Sequence, residues 1–198
     1  FAKLVHEAGF PPGVINVITG FGDECGRVLT SHPKVARVAF TGGPETARHV
    51  VRNSAENFAE VSLELGGKSP FVVFEDADLE SAVNGCVAGI FGATGQSCVA
   101  GSRLIVHEAV AGEFLPRVAA QLEGVELVGD DAARRALGAD RVDSATEDDW
   151  AQEFLALKLA VRVVPSLDGA LDHIARYGTG HSEAIVTRSL AAAQAFEA

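Results

Sequence analysis

The sequence predicts an α/β fold made of βαβ units with mostly parallel sheets. Strand-like apolar runs recur along the chain, and a glycine-containing turn and a segment with helical spacing of apolar residues follow most of them. That alternation is typical of parallel strands joined by crossover helices. With 198 residues, 47% of them hydrophobic and 22% charged, the chain is long enough to bury a core and has the composition of a soluble globular protein.

The first part of the chain contains the succession of strand, glycine turn and helix twice. We recognise the strands by runs of β-branched apolar residues, and the helices by the spacing of their apolar residues and by the glycines and prolines that bound them. In order, the predicted elements are a helix ending at Gly9, a strand at 14–18, a glycine-rich turn at 19–26 that opens a short helix, a strand at 35–40, a helix at 45–57 that Pro44 begins, and a strand at 61–63. The spacing of Gly20, Gly22 and Gly26 is one residue longer than the usual dinucleotide fingerprint, so these glycines also fit a plain strand-to-helix turn.

The second part continues the same alternation. The predicted elements are a strand at 71–74, a helix at 79–91 capped by Asp78, a strand at 102–108, a helix at 110–122, a strand at 125–128, a helix at 130–137, a strand at 159–164, a helix at 167–176, a strand at 184–187 and a helix from Ser189. Cys86 lies in the apolar stripe of its helix and is expected in the core. The acidic stretch at 139–153 has no clear period and reads as a solvated loop.

Charge and cysteine content exclude several classes of partner. A net charge of −11, with 16 scattered basic residues, makes nucleic acid an unlikely ligand. Three irregularly spaced cysteines and six histidines form no metal-binding pattern and no disulfide framework. The sequence shows no signal peptide and no apolar run of the length that a membrane span needs. We therefore expect a cytoplasmic protein with no membrane partner and no metal.

Two residues of reactive type, Glu64 and Cys98, flank one predicted strand and one predicted helix. Glu64 stands before Gly66 and Gly67 at a predicted strand end, where open parallel sheets bind ligands. Cys98 lies among small residues that leave room for a substrate. A thiolate nucleophile suits attack on an aldehyde to give a thiohemiacetal, and a carboxylate base suits hydrolysis of the thioester that remains once a nicotinamide has taken the hydride. On spacing alone, however, a carboxylate and a thiol this far apart are more often unrelated.

Residues 1–106 resemble the NAD-dependent members of the aldehyde dehydrogenase superfamily. The motifs that carry the resemblance are Ala8-Gly9-Phe10-Pro11-Pro12-Gly13-Val14, Thr19-Gly20-Phe21-Gly22, Phe40-Thr41-Gly42, Glu64-Leu65-Gly66-Gly67-Lys68-Ser69-Pro70, Asp76-Ala77-Asp78-Leu79 and Gly95-Gln96-Ser97-Cys98. The resemblance implies that Cys98 is the catalytic nucleophile and Glu64 the general base. It further implies an aldehyde substrate, NAD or NADP as cofactor and a homo-oligomeric assembly.

The same resemblance implies a domain division and a set of cofactor-binding residues. Residues 1–70 would form part of the dinucleotide-binding domain, and residues 71–198 part of the catalytic domain. The expected cofactor contacts are Gly20, Gly22, Thr41, Gly42, Gly43, Leu65 and Glu153, of which Glu153 matches the carboxylate that holds a cofactor ribose. Gly43 replaces a serine that the family usually has near the pyrophosphate, and Ala47 replaces a common glycine, so we expect weakened cofactor binding.

Residues 141–196 resemble another branch of the superfamily, glutamyl phosphate reductase, also known as glutamate-5-semialdehyde dehydrogenase, which works in proline synthesis. The matching stretches include Tyr177-Gly178-Thr179-Gly180-His181-Ser182-Glu183-Ala184. The sequence therefore has the character of an incomplete fragment or a chimera. Because the family's cofactor lysine and oxyanion asparagine would precede Phe1, we expect little activity from the isolated chain. Two alternatives stay open: NADPH-dependent reduction of an acyl phosphate, and a recombined scaffold without catalysis.

Overall fold

The computed structural model describes residues 1–197 and divides the chain into two compact units. The first unit is Phe1–Leu65, and the second begins at Gly66. Both are α/β, as the sequence predicts. The assignment of residues 1–70 to cofactor binding and 71–198 to catalysis stays a prediction. The boundary between the units falls inside the motif that begins at Glu64, between Leu65 and Gly66.

The first unit is built on two parallel strands. Its elements are α1 (Ala2–Glu7), a π-helical turn (Gly22–Gly26), α2 (Arg27–Ser31), β1 (Arg37–Gly42), α3 (Pro44–Ser54) and β2 (Glu60–Leu65). Pro44 occupies the first turn of α3, where its missing N–H leaves no intrahelical bond unmade. The buried face of α3 is formed by Ala47, Val50 and Ser54.

The predicted strand at 14–18 is wrong. These residues pair with no strand in the part of the chain that is described, and Val14, Val17 and Ile18 are more than half exposed. Their β-branched character is that of a strand, but a strand also needs a neighbour to accept and donate its ladder hydrogen bonds. The sheet of this unit has only β1 and β2 within the described residues.

The second unit is a six-stranded parallel sheet with helices on both faces. Its elements are β3 (Pro70–Val73), α4 (Leu79–Phe91), β4 (Arg103–His107), α5 (Glu108–Gln121), β5 (Glu126–Gly129), α6 (Asp131–Leu137), β6 (Asp143–Ser144), α7 (Glu147–Ala151), β7 (Lys158–Val164), α8 (Leu167–Tyr177), β8 (Ala184–Val186) and α9 (Leu190–Glu197). The strand order is β6-β5-β7-β4-β3-β8, and every pair is parallel.

Side-chain alternation divides the core of this unit between the two sheet faces. Leu104 and Val106 on β4 pack with α4, α5 and α6 in the larger cluster, which includes the fully buried Cys86. Ile105 points to the other face and packs with Ala170 and Ile174 of α8. The prediction of Cys86 as a core thiol is confirmed, and burial raises the pKa of its thiol to about 12.

Local capping signals set the helix starts. Asp78 accepts the Ser81 N–H at 2.9 Å and begins α4, as predicted. The prediction of a loop throughout 139–153 is wrong, because β6 and α7 lie within it. A capping box joins Thr146 and Asp149, and Trp150 is buried on the inner side of α7. No helix within residues 1–197 has the length and apolarity that crossing a bilayer requires.

Candidate active site and cofactor-binding residues

Four of the predicted site residues meet at the carboxyl ends of β1 and β2. In the parallel register Thr41 lies opposite Glu64, and Gly42 lies opposite Leu65. Glu64 is exposed, and its side chain forms no hydrogen bond or ion pair with residues 1–197. The carboxyl end of a parallel sheet is where ligands bind in open α/β folds. The Glu64 carboxylate is therefore available to accept a proton.

The glycine turn before α2 shapes a pocket in the same unit. A Cβ on Gly20 would lie 2.9 Å from the Cys25 Sγ, so the Cys25 side chain packs closely against this glycine. The pocket has a volume of about 550 Å³, is partly open to solvent and lies between the turn, α2 and α3. Its lining includes Phe21, Gly22, Arg27, Phe40 and His49.

This pocket supplies a test of whether the first unit fits a dinucleotide. Its volume lies within the range of small-molecule sites, and aromatic and polar side chains line it together. Gly43 lies at the N-cap of α3, where no side chain caps the helix and where the space beside its Cα is open. The residues present fit part of a dinucleotide. The N-cap position itself carries no hydroxyl, whereas Thr46 in the first turn of α3 lines the pocket.

Cys98 lies in a turn of the second unit, after α4. The Ala100 N–H donates to the Ser97 carbonyl at 2.9 Å and closes the turn, and the Cys98 side chain is exposed. No hydrogen bond among residues 1–197 uses the Cys98 N–H. The turn thus presents a thiol next to an unused backbone donor, which is the arrangement that a covalent acyl-transfer site needs.

Glu153 lies against the two glycines that follow Glu64 and Leu65. Its Oε1 accepts the Gly67 N–H at 3.2 Å, and a Cβ on Gly66 would overlap its carboxylate. Neither glycine has a positive φ, so their role is to permit close approach rather than an unusual backbone conformation. The loop before β8 packs on the other side, since a Cβ on Gly67 would lie 2.7 Å from the His181 Cβ.

A buried arginine beneath this turn was not identified from the sequence. Arg103 has no exposed surface, and its Nε and Nη2 donate to the Lys68 carbonyl at 2.9 and 2.6 Å. Burial lowers the pKa of Arg103 to about 10, and the pKa of Lys68 is lowered first by burial and then by the charge of Arg103. The sequence feature that could have identified Arg103 is its position directly before the apolar run 104–106 of β4, five residues after Cys98.

The predicted residues thus fall into two groups. Gly20, Gly22, Thr41, Gly42, Gly43, Glu64 and Leu65 belong to the first unit, and Cys98 and Glu153 belong to the second. Within residues 1–197, no group of three or more His, Cys, Asp or Glu side chains is arranged to hold a metal ion. The individual roles of these residues stay predictions.

Comparison with known proteins places the whole chain in one sequence family. The sequence model of the aldehyde dehydrogenase family matches residues 1–194. The chain is 67% identical over 127 residues to (Z)-2-((N-methylformamido)methylene)-5-hydroxybutyrolactone dehydrogenase of Acinetobacter baylyi, a match that covers 64% of this chain and 26% of that protein. It is 54% identical over 130 residues to hydroxyisobutyraldehyde dehydrogenase of Mycolicibacterium austroafricanum, covering 66% of this chain and 26% of that protein.

Solved structures extend the similarity to nearly all of the fold. PnpE from Pseudomonas sp. WBC-3 matches 99% of this chain with a TM-score of 0.85 and 29% identity. PnpE in complex with nicotinamide adenine dinucleotide matches 98% of it with a TM-score of 0.83 and 31% identity. The match covers 50% and 49% of those two chains. The chain therefore spans about half the length of these structures and about a quarter of the curated relatives.

Proposed function

The chain belongs to the aldehyde dehydrogenase family, and we propose that it provides the nucleophile and the base for oxidation of an aldehyde to a carboxylic acid with NAD(P). The observation that carries this proposal is the exposed Cys98 thiol with an unused N–H in the same turn. The other two thiols suit the role less well. Cys86 is fully buried, and Cys25 packs against Gly20.

In the proposed reaction, the Cys98 thiolate attacks the aldehyde carbon, and the carbonyl oxygen becomes the alkoxide of a thiohemiacetal. The Cys98 N–H donates a hydrogen bond to that oxygen as its negative charge develops. The nicotinamide, when bound, supplies the acceptor for the hydride that leaves this carbon. The thioester that remains on Cys98 is opened by water, and Glu64 accepts a proton from that water. The products are the carboxylic acid and the regenerated thiol.

Cofactor binding is proposed for residues of both units. Gly20, Gly22 and Gly43 would line the turn and the start of α3, while Thr41, Gly42 and Leu65 would line the strand ends. The pocket of about 550 Å³ supports this assignment for Gly22, which lines it. Glu153 is proposed to hold a ribose hydroxyl, and its partly buried carboxylate, held by Gly67, supports that role.

The comparisons favour aldehyde oxidation over the reductase alternative. The two curated relatives named above are dehydrogenases, one of them named for an aldehyde, although residues 177–187 resemble glutamyl phosphate reductase. We propose that the protein is located in the cytoplasm and acts on a small-molecule aldehyde. We also propose that it assembles as a homo-oligomer. Three free thiols support a reducing compartment, and the net charge of −11 argues against binding to nucleic acid.

The experiment that tests this function is a single-turnover measurement with the purified chain, an aldehyde and NAD. We expect slow NADH formation that scales with protein concentration, in line with the low activity expected of the isolated chain, and acylation of Cys98 detected by mass spectrometry of its peptide. Cys98→Ser removes the thiolate and is expected to abolish both signals. Glu64→Gln is expected to leave acylation intact and slow its hydrolysis, because only the second step uses the base.

A matched control separates chemistry from folding. Cys25→Ser keeps the size of the side chain and a donor to the Phe21 carbonyl, so it is expected to preserve NADH formation. Equal NADH formation by wild type and Cys98→Ser would contradict the proposal. A wild-type chain in which Cys98 is no more reactive than Cys86 would favour a scaffold without catalysis.

A further inference from the structure

The turn Gly66-Gly67-Lys68 is a fixed point of the second unit. Two N–H groups of the buried Arg103 guanidinium converge on the Lys68 carbonyl oxygen and hold that oxygen in place. The neighbouring Gly67 N–H donates to Glu153 at 3.2 Å. Glu153 is therefore tethered to a short segment whose Lys68 carbonyl is itself anchored.

The segment that follows Glu153 is bent and fixed at its far end. Leu155 has a φ of 53°, which is rare for a bulky residue, and its side chain is 53% exposed, so packing of that side chain does not account for the bend. The Leu157 carbonyl accepts the Glu126 N–H of β5 at 2.9 Å, just before β7 begins at Lys158. Residues 153–157, called here the bridging segment, are thus held at both ends.

The bridging segment contacts the turn that carries Cys98. Gly95 has a φ of 76°, and a Cβ there would overlap the Ala156 carbonyl oxygen. The overlap is with backbone, which has no rotamer to move away, so the close approach requires glycine. Thr94 is also left-handed, with a φ of 54°. The shape of this turn therefore depends on where Ala156 lies.

We infer that the bridging segment positions the Cys98 thiol, and that the hydrogen bond between Glu153 and Gly67 acts on Cys98 through the contact of Ala156 with Gly95. This inference rests on the proposed function, in which Cys98 is the nucleophile. It makes Glu153 a positioning residue for the thiol in addition to its proposed contact with a ribose. Both ends of the path lie within the second unit.

The test is the rate at which iodoacetamide alkylates Cys98 without cofactor or aldehyde, divided by the rate at Cys25 in the same chain. Glu153→Ala removes the acceptor, and the rate ratio is expected to change by about twofold to tenfold, the factor that corresponds to one lost hydrogen bond. Glu153→Gln keeps an oxygen for the Gly67 N–H and is expected to match the wild type. If Glu153 acted on the thiol only through its charge, Glu153→Gln and Glu153→Ala would change the rate ratio equally. That result would overturn the inference.

A pair of glycine variants tests the other end of the path. Gly95→Ala and Gly124→Ala both place a side chain at a φ of 76°, but only at Gly95 does the new Cβ meet another atom, since the space at Gly124 is open. We expect Gly95→Ala to change the Cys98 ratio in the same direction as Glu153→Ala, and Gly124→Ala to leave it unchanged. Equal ratios in the two glycine variants, or opposite changes in Gly95→Ala and Glu153→Ala, would overturn the inference.

A loss of folding, a failure of the proposed function and a failure of the positioning role give different results in these experiments. Circular dichroism and thermal unfolding report whether each variant folds, and the Glu153→Gln and Gly95→Ala results decide the question if Glu153→Ala does not fold. Failure of the proposed function would appear in the wild type, as a lack of aldehyde-dependent NADH formation. Failure of the positioning role would appear only in the rate ratios of the variants.

Discussion

The Glu153 carboxylate and the Gly67 N–H are joined by a hydrogen bond of 3.2 Å, although 86 residues separate them in the sequence. This bond explains why the motif around Glu64 contains two glycines in succession. Gly66 leaves room for the carboxylate, and Gly67 supplies the donor while leaving room for His181. The two glycines that follow Glu64 and Leu65 therefore help to hold two distant parts of the chain together.

Gly66→Ala is expected to push the Glu153 carboxylate out of its site. Because that carboxylate is the end of a flexible side chain, the cost should be close to that of one lost hydrogen bond, about 0.5–1.5 kcal/mol in urea unfolding. In a Glu153→Ala background the same substitution should cost much less, because no carboxylate remains to be displaced. Gly112→Ala, in open space on α5, should raise stability by about 0.5–1 kcal/mol and serves as the control.

Arg103→Met is expected to lower the free energy of unfolding by about 1–3 kcal/mol, because it leaves the Lys68 carbonyl without its two donors. The free energy of unfolding of Arg103→Lys should lie between those of Arg103→Met and the wild type, since lysine cannot reproduce the two-donor geometry. Arg117→Met removes an exposed arginine that pairs with Glu113, and should change stability by less than about 1 kcal/mol. Urea unfolding measures all three, and an Arg103→Met protein as stable as Arg117→Met would contradict the anchoring role.

His173 should make the second unit sensitive to acid. It lies between Trp150 and Tyr177, with ring centroids 5.2 and 4.8 Å away, and burial lowers its pKa from 6.5 to about 4. Between these pH values the unfolded residue binds a proton and the folded one does not, so stability falls as the pH drops from 6.5 to about 4. Below about pH 4 this contribution falls no further.

His173→Phe keeps a ring between Trp150 and Tyr177 and removes the titrating group. Its urea-unfolding stability, measured between about pH 7 and 4, should therefore decline less steeply than that of the wild type. Carboxylates with lowered pKa, such as Asp76 and Asp149, contribute acid sensitivity in both proteins, so the difference between the two curves isolates His173. If the stabilities of the two proteins changed with pH in parallel, burial of His173 would not contribute to the acid sensitivity.

Gly43→Ser is expected to stabilise α3 and to strengthen cofactor binding. A serine at this N-cap position supplies a hydroxyl acceptor for the first turn, worth a few tenths of a kcal/mol relative to glycine. Thermal unfolding and a titration of NADH fluorescence measure the two effects. Gly43→Ala adds a methyl group without the hydroxyl and serves as the control. If Gly43→Ala raised the affinity for NADH as much as Gly43→Ser does, the hydroxyl would have no role in binding.

Much of the fold followed from local sequence rules. The β1-α3-β2 arrangement, the start of α3 at Pro44, the Asp78 cap and the burial of Cys86 were all predicted, because each depends on residues within a few positions of one another. The strand at 14–18 was wrong because pairing depends on a neighbouring strand, which its own residues do not specify. The helix α7 was missed although the residues of its capping box, Thr146 and Asp149, and the apolar Trp150 stand in the sequence.

The sequence by itself determined the residue types that carry the proposed chemistry, Cys98 and Glu64, and the glycines around them, because these stand in contiguous motifs. Only the tertiary structure decided that Glu153 is held by Gly67, that Arg103 lies fully buried beneath Lys68, and that Ala156 packs against Gly95. The physical reason is that each of these contacts joins parts of the chain that are distant in sequence. Such contacts exist only after the parallel sheet has brought its strand ends and loops together.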